Sequence, residues 1–270
     1  SAVYQSHTVS SNRMRVTILG CGSSGGVPLI GREGWGICDP VNPKNRRRRV
    51  SILVEDRGTT LLVDTSPDLR AQLIDADVHG LNAVLYTHAH ADHLHGIDDL
   101  RSVNANIDGP LDAHATAETI KVIRNRFGYV FDTRNQEATY WAQPWLIPRL
   151  IDGPFRVGSI DIKPFAQDHG HGMTTLGFRF GKVAYSTDAK NLDDVAFDTL
   201  AGVELWIVDA LRAHPHPTHS HVAQTFQWIA RLEPKRAVLT HMSHMLDYEA
   251  LLAQCPPGVE PGYDGMVIDL

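Results

Sequence analysis

The run Thr87-His88-Ala89-His90-Ala91-Asp92-His93 packs three imidazoles and a carboxylate into consecutive positions directly behind an apolar stretch. No other feature limits so sharply what this chain can fold into. Neutral imidazole and carboxylate are ordinary ligands of zinc and other divalent transition metals. The preceding Leu81-Asn82-Ala83-Val84-Leu85-Tyr86 reads as a buried strand. The cluster therefore lies just past a strand's C-terminal end, where α/β proteins build their sites. A polar loop with its histidines in water is the plain alternative, and it loses ground because similar residues recur behind later strands.

The rest of the chain supplies those strands. Met14 to Leu19 reads as a strand ending in the turn-rich Gly20-Cys21-Gly22-Ser23-Ser24-Gly25-Gly26. Val50 to Glu55 and Thr60 to Asp64 read as a hairpin joined through Asp56-Arg57-Gly58. Helical spacing runs over Pro67 to Ala76, and again over Thr116 to Phe127 with Thr116 as N-cap. Strands resume at Ile160 to Phe165, Thr175 to Phe180 and Val183 to Thr187. The tail reads strand (Leu205 to Asp209), helix (His221 to Leu232), strand (Arg236 to Thr240). No internal repeat is evident. Two sheets sandwiched between helices, in one α/β domain over 14–270, is the simplest architecture. Ser1 to Arg13 reads as a polar leader without the apolar core of a signal peptide, and Met14 is a candidate first residue.

Composition narrows the function classes. With 43% hydrophobic and 21% charged residues the chain is an ordinary globular protein, and no apolar stretch approaches membrane-spanning length. A net charge of -6 argues against a broad basic face for nucleic acid. Three widely spaced cysteines, Cys21, Cys38 and Cys255, suggest no disulfide framework and fit a reducing, cytoplasmic setting.

His169, Asp188 and His241 each follow an apolar run, as the first cluster does. Singly each is weak, since a lone strand-end histidine is more often just a satisfied polar group. Together with His88, His90, Asp92 and His93 they offer enough nitrogen and oxygen donors for two metals.

The pattern His88-x-His90-x-Asp92-His93 resembles the signature of the metallo-β-lactamase-fold hydrolases, over nearly the whole chain from Met14. That resemblance implies an αββα sandwich. It also implies one metal on His88, His90 and His169, and a second on Asp92, His93 and His241. Asp188 would bridge them, with a hydroxide between the metals as nucleophile. Gly20 to Pro28, Asn45 to Arg49, His93 to Arg101 and Tyr263-Asp264-Gly265-Met266 resemble the PhnP-type branch, best known for phosphoribosyl cyclic phosphodiesterase. The branch implies hydrolysis of a small phosphodiester or cyclic phosphate. His219, in Pro217-Thr218-His219-Ser220-His221, matches its further active-site histidine and would act with Asp92 in catalysis. The cofactor is expected to be two divalent ions, Zn²⁺ or Mn²⁺ with Fe²⁺ a third candidate. A homodimer, with no membrane or nucleic-acid partner, is the expected assembly. His171, His214, His216 and His221 have no role that spacing demands.

There is one departure. PhnP-type members often hold a structural zinc on Cys-x-Cys-x-x-Cys and a later histidine, but those positions here read Glu33, Trp35, Cys38 and His244. A closed zinc site is not expected there. Arg46 to Arg49 reads either as a solvated strand edge or as a source of one substrate-phosphate contact. The rivals are a tRNA 3′-processing nuclease, a thiolester hydrolase, or a non-catalytic metal-stabilised accessory protein that binds a small molecule. Ala91, where the nuclease usually has glycine, and the lack of a basic glycine-rich arm count against the first.

Overall fold

A computed structural model of the protein describes residues 13–132 and 143–270. Most of the leader therefore lies outside the described residues. Alternating burial organises the first half. Strand β1 (Arg15–Gly20) pairs antiparallel with β2 (Ser51–Asp56), and β2 with β3 (Thr59–Val63). The β2–β3 turn is Arg57-Gly58, both at positive φ, as a two-residue hairpin of this hand requires. From β3 the sheet turns parallel through β4 (Ala83–Leu85), β5 (Leu111–Ala115) and β6 (Leu146–Leu150). In these strands Ile52, Val54, Leu61, Val63, Ala83 and Leu85 face one core, while Leu53, Leu62 and Val84 face another. Both faces are covered, which is why the strands read as continuous apolar runs.

The second core lies under helices α1 (Leu69–Asp75), α2 (Ala91–Leu94), α3 (Leu100–Ile107) and α4 (Ala117–Phe127). Thr116 caps α4, its hydroxyl accepting from the Thr119 amide at 3.2 Å.

The second sheet repeats the plan. Antiparallel β7 (Phe155–Val157), β8 (Ile160–Asp168), β9 (Thr174–Phe180) and β10 (Val183–Ser186) lead into parallel β11 (Leu205–Asp209), β12 (Arg236–Thr240) and β13 (Val259–Pro261). Helices α5 (Asp194–Leu200), α6 (Val222–Leu232) and α7 (Tyr248–Leu252) bury Phe197, Ile229 and Leu251 in one contiguous apolar cluster with the strands of this sheet. The last strand, β14 (Val267–Asp269), crosses back to pair with β1. The result is an αββα sandwich of two 7-stranded sheets. The repeated plan has no counterpart in residue identities.

The reading from sequence passes over α2, α3, β5, β6, β7, α5, α7, β13 and β14. In α3 and β5 polar residues such as Arg101, Asn104, Asp112 and His114 interrupt the apolar signal. These elements are held by packing on one face only. Among the described residues no helix is long and apolar enough to cross a membrane.

Candidate metal centre

Every candidate ligand is delivered by the end of a strand. His88 to His93 follow β4 and turn into α2, with His90 at its N-cap; His169 follows β8, Asp188 follows β10 and His241 follows β12. Asp188 and His241 sit at φ of 55° and 58°. This left-handed backbone breaks each strand and turns the side chain toward the shared edge. Asp and His are among the non-glycine residues that enter that region most readily.

Asp188 joins two groups of donors. Its Oδ2 lies 3.8 Å from His88 Nε2 and 3.6 Å from His169 Nε2, while His90 Nδ1 is 2.9 Å and 3.4 Å from the same two nitrogens. Its Oδ1 lies 3.1 Å from His93 Nε2 and 3.3 Å from His241 Nε2, and Asp92 Oδ2 is 3.3 Å and 3.5 Å from those. Donors at 2.0–2.1 Å around a tetrahedral ion are separated by about 3.3–3.4 Å, close to these spacings. His93 Nε2 and both ring nitrogens of His241 are buried with no hydrogen-bond partner. Such orphaned donors fit a bound cation. Each of the two groups, sharing Asp188, offers a set of mostly buried donors that could hold a metal ion.

The electrostatics agree. Burial opposes ionisation of Asp188, but His241 and His93 outweigh it and hold the carboxyl well below its ordinary range. Burial also disfavours charge on His93, yet Asp188, Asp92 and Asp64 draw a proton onto it, and His241 is pushed up to about 9 against its burial by Asp188 and Asp92. The carboxylates thus demand positive charge here, which a metal supplies without protonating its own ligands. His88 moves the other way, burial and His93 holding it well below the histidine range.

Three groups fix which ring nitrogen faces inward. Asp64, fully buried at φ 64°, accepts from Thr87 N at 2.8 Å through Oδ1, and from Thr87 Oγ1 and His93 Nδ1 at 2.7 Å through Oδ2. With its proton given to Asp64, the Thr87 hydroxyl accepts from His88 Nδ1 at 3.0 Å. One carboxylate therefore leaves Nε2 free on both His88 and His93. His169 Nδ1 donates to the Thr218 carbonyl at 2.8 Å, again freeing Nε2.

Asp209, at the end of β11, does the same for His219, accepting from Nδ1 at 2.9 Å. His219 Nε2 then lies 3.9 Å from Asp188 Oδ2, and its ring stacks on His241 at 4.5 Å. The structure thus brings together all seven expected ligands and His219. Sequence reasoning missed Asp64 and Asp209, although both are aspartates ending an apolar strand, the very signal that picks out Asp188.

The arginine run needs correction. Arg47 is 1% exposed and donates to Ser243 O at 3.1 Å and Asn45 Oδ1 at 3.2 Å. Arg48 pairs with Asp75, Arg49 with Asp68, and Arg46 lies over the Trp35 ring. Arg47 is therefore no part of a solvated edge, while Arg46 stays exposed and Arg48 and Arg49 half-buried. Arg47, Arg48 and Arg49 together brace the early loop against α1 and the segment after His241. Cys38 Sγ donates to the Leu246 carbonyl at 3.3 Å, and Gly36 stands so close to His244 O that a Cβ would meet it at 2.3 Å. Backbone packing and Arg47 hold this junction. The glycine-rich loop after β1 is a turn beneath the centre: Ser23 N donates to Met242 O at 3.1 Å, and Met242 N to Cys21 O at 2.8 Å.

The beta-lactamase superfamily domain matches residues 59–242, which carry the strand ends just described. The chain belongs to the beta-lactamase superfamily. A solved diphosphatase of the PhnP family superposes on it with a TM-score of 0.86 and 31% identity, covering 96% of this chain and 97% of that one. The superfamily membership is thus that of a hydrolase on the PhnP-like branch. Zn²⁺-bound PqqB from Methylobacterium extorquens shares the fold at a TM-score of 0.75 and 19% identity, over 95% of this chain and all of that one. An octanoyltransferase of Porphyromonas gingivalis is 33% identical over 256 residues, 94% of this chain. The chain spans about half of that protein, 51% of its length.

Proposed function

We propose that this beta-lactamase-superfamily hydrolase is a dinuclear metal-dependent phosphodiesterase acting on a small phosphodiester or cyclic phosphate. One observation carries the reading: the two oxygens of Asp188 face two separate donor groups, His88/His90/His169 and Asp92/His93/His241. Zn²⁺ or Mn²⁺, with Fe²⁺ third, suits these nitrogen and oxygen donors. Bound there, the ions supply Lewis acidity that neutralises phosphoryl oxygens and acidifies water toward neutrality.

The chain's own groups do the rest. Asp92 is 8% exposed and keeps a carboxylate oxygen between His93 and His241, fixing the second group against the bridging Asp188. His219 Nδ1–H donates a hydrogen bond to Asp209, so Nε2 is the atom turned to the centre. An imidazolium there donates its Nε2 proton to the departing alkoxide; a neutral one accepts it back from water. Asp209 keeps the ring from flipping and is a positioning residue. The Ala189 amide, donating to Asp209 Oδ2 at 3.0 Å, holds that carboxylate in turn.

The test is metal-reconstituted protein assayed on bis(p-nitrophenyl) phosphate and 2′,3′-cyclic nucleotides, with metal per chain measured alongside. His219→Ala should keep its metal and lose about 10²–10⁴-fold in turnover. Close to two ions per chain is expected, and one or none would sink the dinuclear site. The octanoyltransferase relative motivates a second reading, hydrolysis of an octanoyl thiolester by the same groups. Activity on that thiolester, with none on any phosphodiester, would establish it instead.

A further inference from the structure

The loop between β11 and α6 carries His216 between Pro215 and Pro217, and its backbone is pinned from several sides. Arg212 Nε donates to His214 O at 3.1 Å, and Lys190 Nζ donates to His216 O at 2.7 Å. The Thr218 carbonyl accepts from His169 Nδ1, so the far end of the loop is tied to a candidate metal ligand. Two prolines fix φ at their own positions and restrict the residues before them, so this stretch is stiff before any of those bonds form.

The His216 side chain has a defined proton as well as a defined place. Its Nδ1 accepts the Thr218 backbone N–H at 3.3 Å, with Thr218 Oγ1 at 3.2 Å. A backbone N–H only donates, so Nδ1 carries no proton and the neutral ring bears it on Nε2. Burial, then His219 and Arg212, holds the imidazole below the ordinary histidine range, so that neutral form persists near pH 7. The ring is half-buried and its centroid lies 5.3 Å from that of His219. Among the described residues Nε2 has no hydrogen-bond partner. A stiff loop thus presents an unspent neutral donor next to the residue proposed to protonate the leaving group.

We propose that His216 is a specificity-determining substrate contact, its Nε2–H donating to an acceptor oxygen on the leaving group. Resting on the phosphodiesterase reading, this assigns His216 to discrimination among leaving groups: one with an acceptor oxygen beside the departing atom is favoured over a bare aryl or alkyl group. His219 acts on the atom that departs, and His216 reads what that atom is attached to.

The experiment compares kcat and KM for 2′,3′-cyclic AMP and bis(p-nitrophenyl) phosphate in the wild type, His216→Ala and His216→Gln. The ratio of kcat/KM for the cyclic nucleotide to that for the aryl diester should fall about 5- to 10-fold in His216→Ala, the loss of one neutral hydrogen bond. The fall should come through KM, and His216→Gln, whose amide donates from a similar reach, should recover most of it. Long-range ¹⁵N–¹H spectra of the histidine rings, assigned by comparison with His216→Gln, should place the proton on Nε2. An equal loss on both substrates, a loss confined to kcat, no loss at all, or a proton on Nδ1 would overturn the inference while leaving the phosphodiesterase intact. A wild type inactive on both diesters would instead remove the reading beneath it, and the inference with it.

Discussion

Replacing Asp64 with asparagine changes one atom, yet both halves of the centre should register it. Asp64 Oδ1 can go on accepting the Thr87 amide, so the backbone contact survives. Oδ2 becomes NH₂ and faces two groups that now donate to it, Thr87 Oγ1 and His93 Nδ1. His93 must lose its Nδ1 proton or meet an N–H head on; moving that proton to Nε2 blocks the atom that faces Asp92 and Asp188. Thr87 must accept rather than donate, so its hydroxyl turns to His88 Nδ1 and drives that proton to Nε2 too. The expected loss is the 10- to 100-fold in metal affinity typical of such outer partners, about 1.4–2.7 kcal/mol per site.

Folding should suffer much less. Burial already raises the Asp64 carboxyl, against the pull of His93, so a neutral amide relieves a buried charge. Asparagine also tolerates the positive φ of this position. Asp64→Ala differs: it leaves three buried donors, Thr87 N, Thr87 Oγ1 and His93 Nδ1, unpaired, roughly 3–9 kcal/mol against a total stability of about 5–15 kcal/mol. The assay is metal retention against a graded chelator, with the unfolding midpoint of the metal-free protein as control. A metal affinity for Asp64→Asn within twofold of wild type would refute the tautomer argument.

Three further outcomes are expected. Asp209→Asn should retain its metals and lose about 10- to 100-fold in kcat with a smaller change in KM, because His219 is left free to turn; an unchanged kcat would show that Asp209 does not position it. Asp264 accepts from Arg48 N at 2.7 Å and Cys21 N at 3.2 Å, yet burial outweighs both and pushes its carboxyl up to about 7. The folded state therefore holds a proton that the unfolded chain gives up near pH 4. This group's contribution falls as pH rises from about 4 to 7, by at most about 4 kcal/mol. Denaturant unfolding of wild type and Asp264→Asn across that range should show the difference shifting in favour of the variant, and a pH-independent difference would count against it. Arg47→Ala should cost about 2–4 kcal/mol of stability by unpairing the buried Ser243 carbonyl and Asn45, with KM for the diester unmoved at temperatures where the variant stays folded. A selective rise in KM would restore the substrate-contact reading of the run.

Much of the sandwich is legible because its strands are apolar on both faces and end at polar, turn-forming residues. β11 and β12 match the sequence reading to the residue, and the hairpin of β2 and β3 differs by a residue at its ends. Elements on the periphery, α3, β5 and β6, are not legible, since one wet face dilutes the periodicity. By residue type alone, Arg47 is a charge that belongs in water or on a phosphate. Its burial depends on the Ser243 carbonyl, which arrives from 196 residues away.

The chain alone determines which atoms are on offer: imidazoles and carboxylates at strand ends, each recognisable because a run of β-branched and apolar residues stops at it. Folding decides how those atoms are shared. Asp188 turns one oxygen to each donor group, Asp64 assigns protons to His93 and through Thr87 to His88, and Asp209 aims His219. A hydrogen bond has a direction and a length. For Asp64 and Asp209 both are set by neighbouring segments of their own sheets, whereas Asp188 meets His88 and His93 only because the two sheets pack together. The opening cluster could therefore announce a metal, while its division between two groups waited on the partners that the second sheet brings to the same edge.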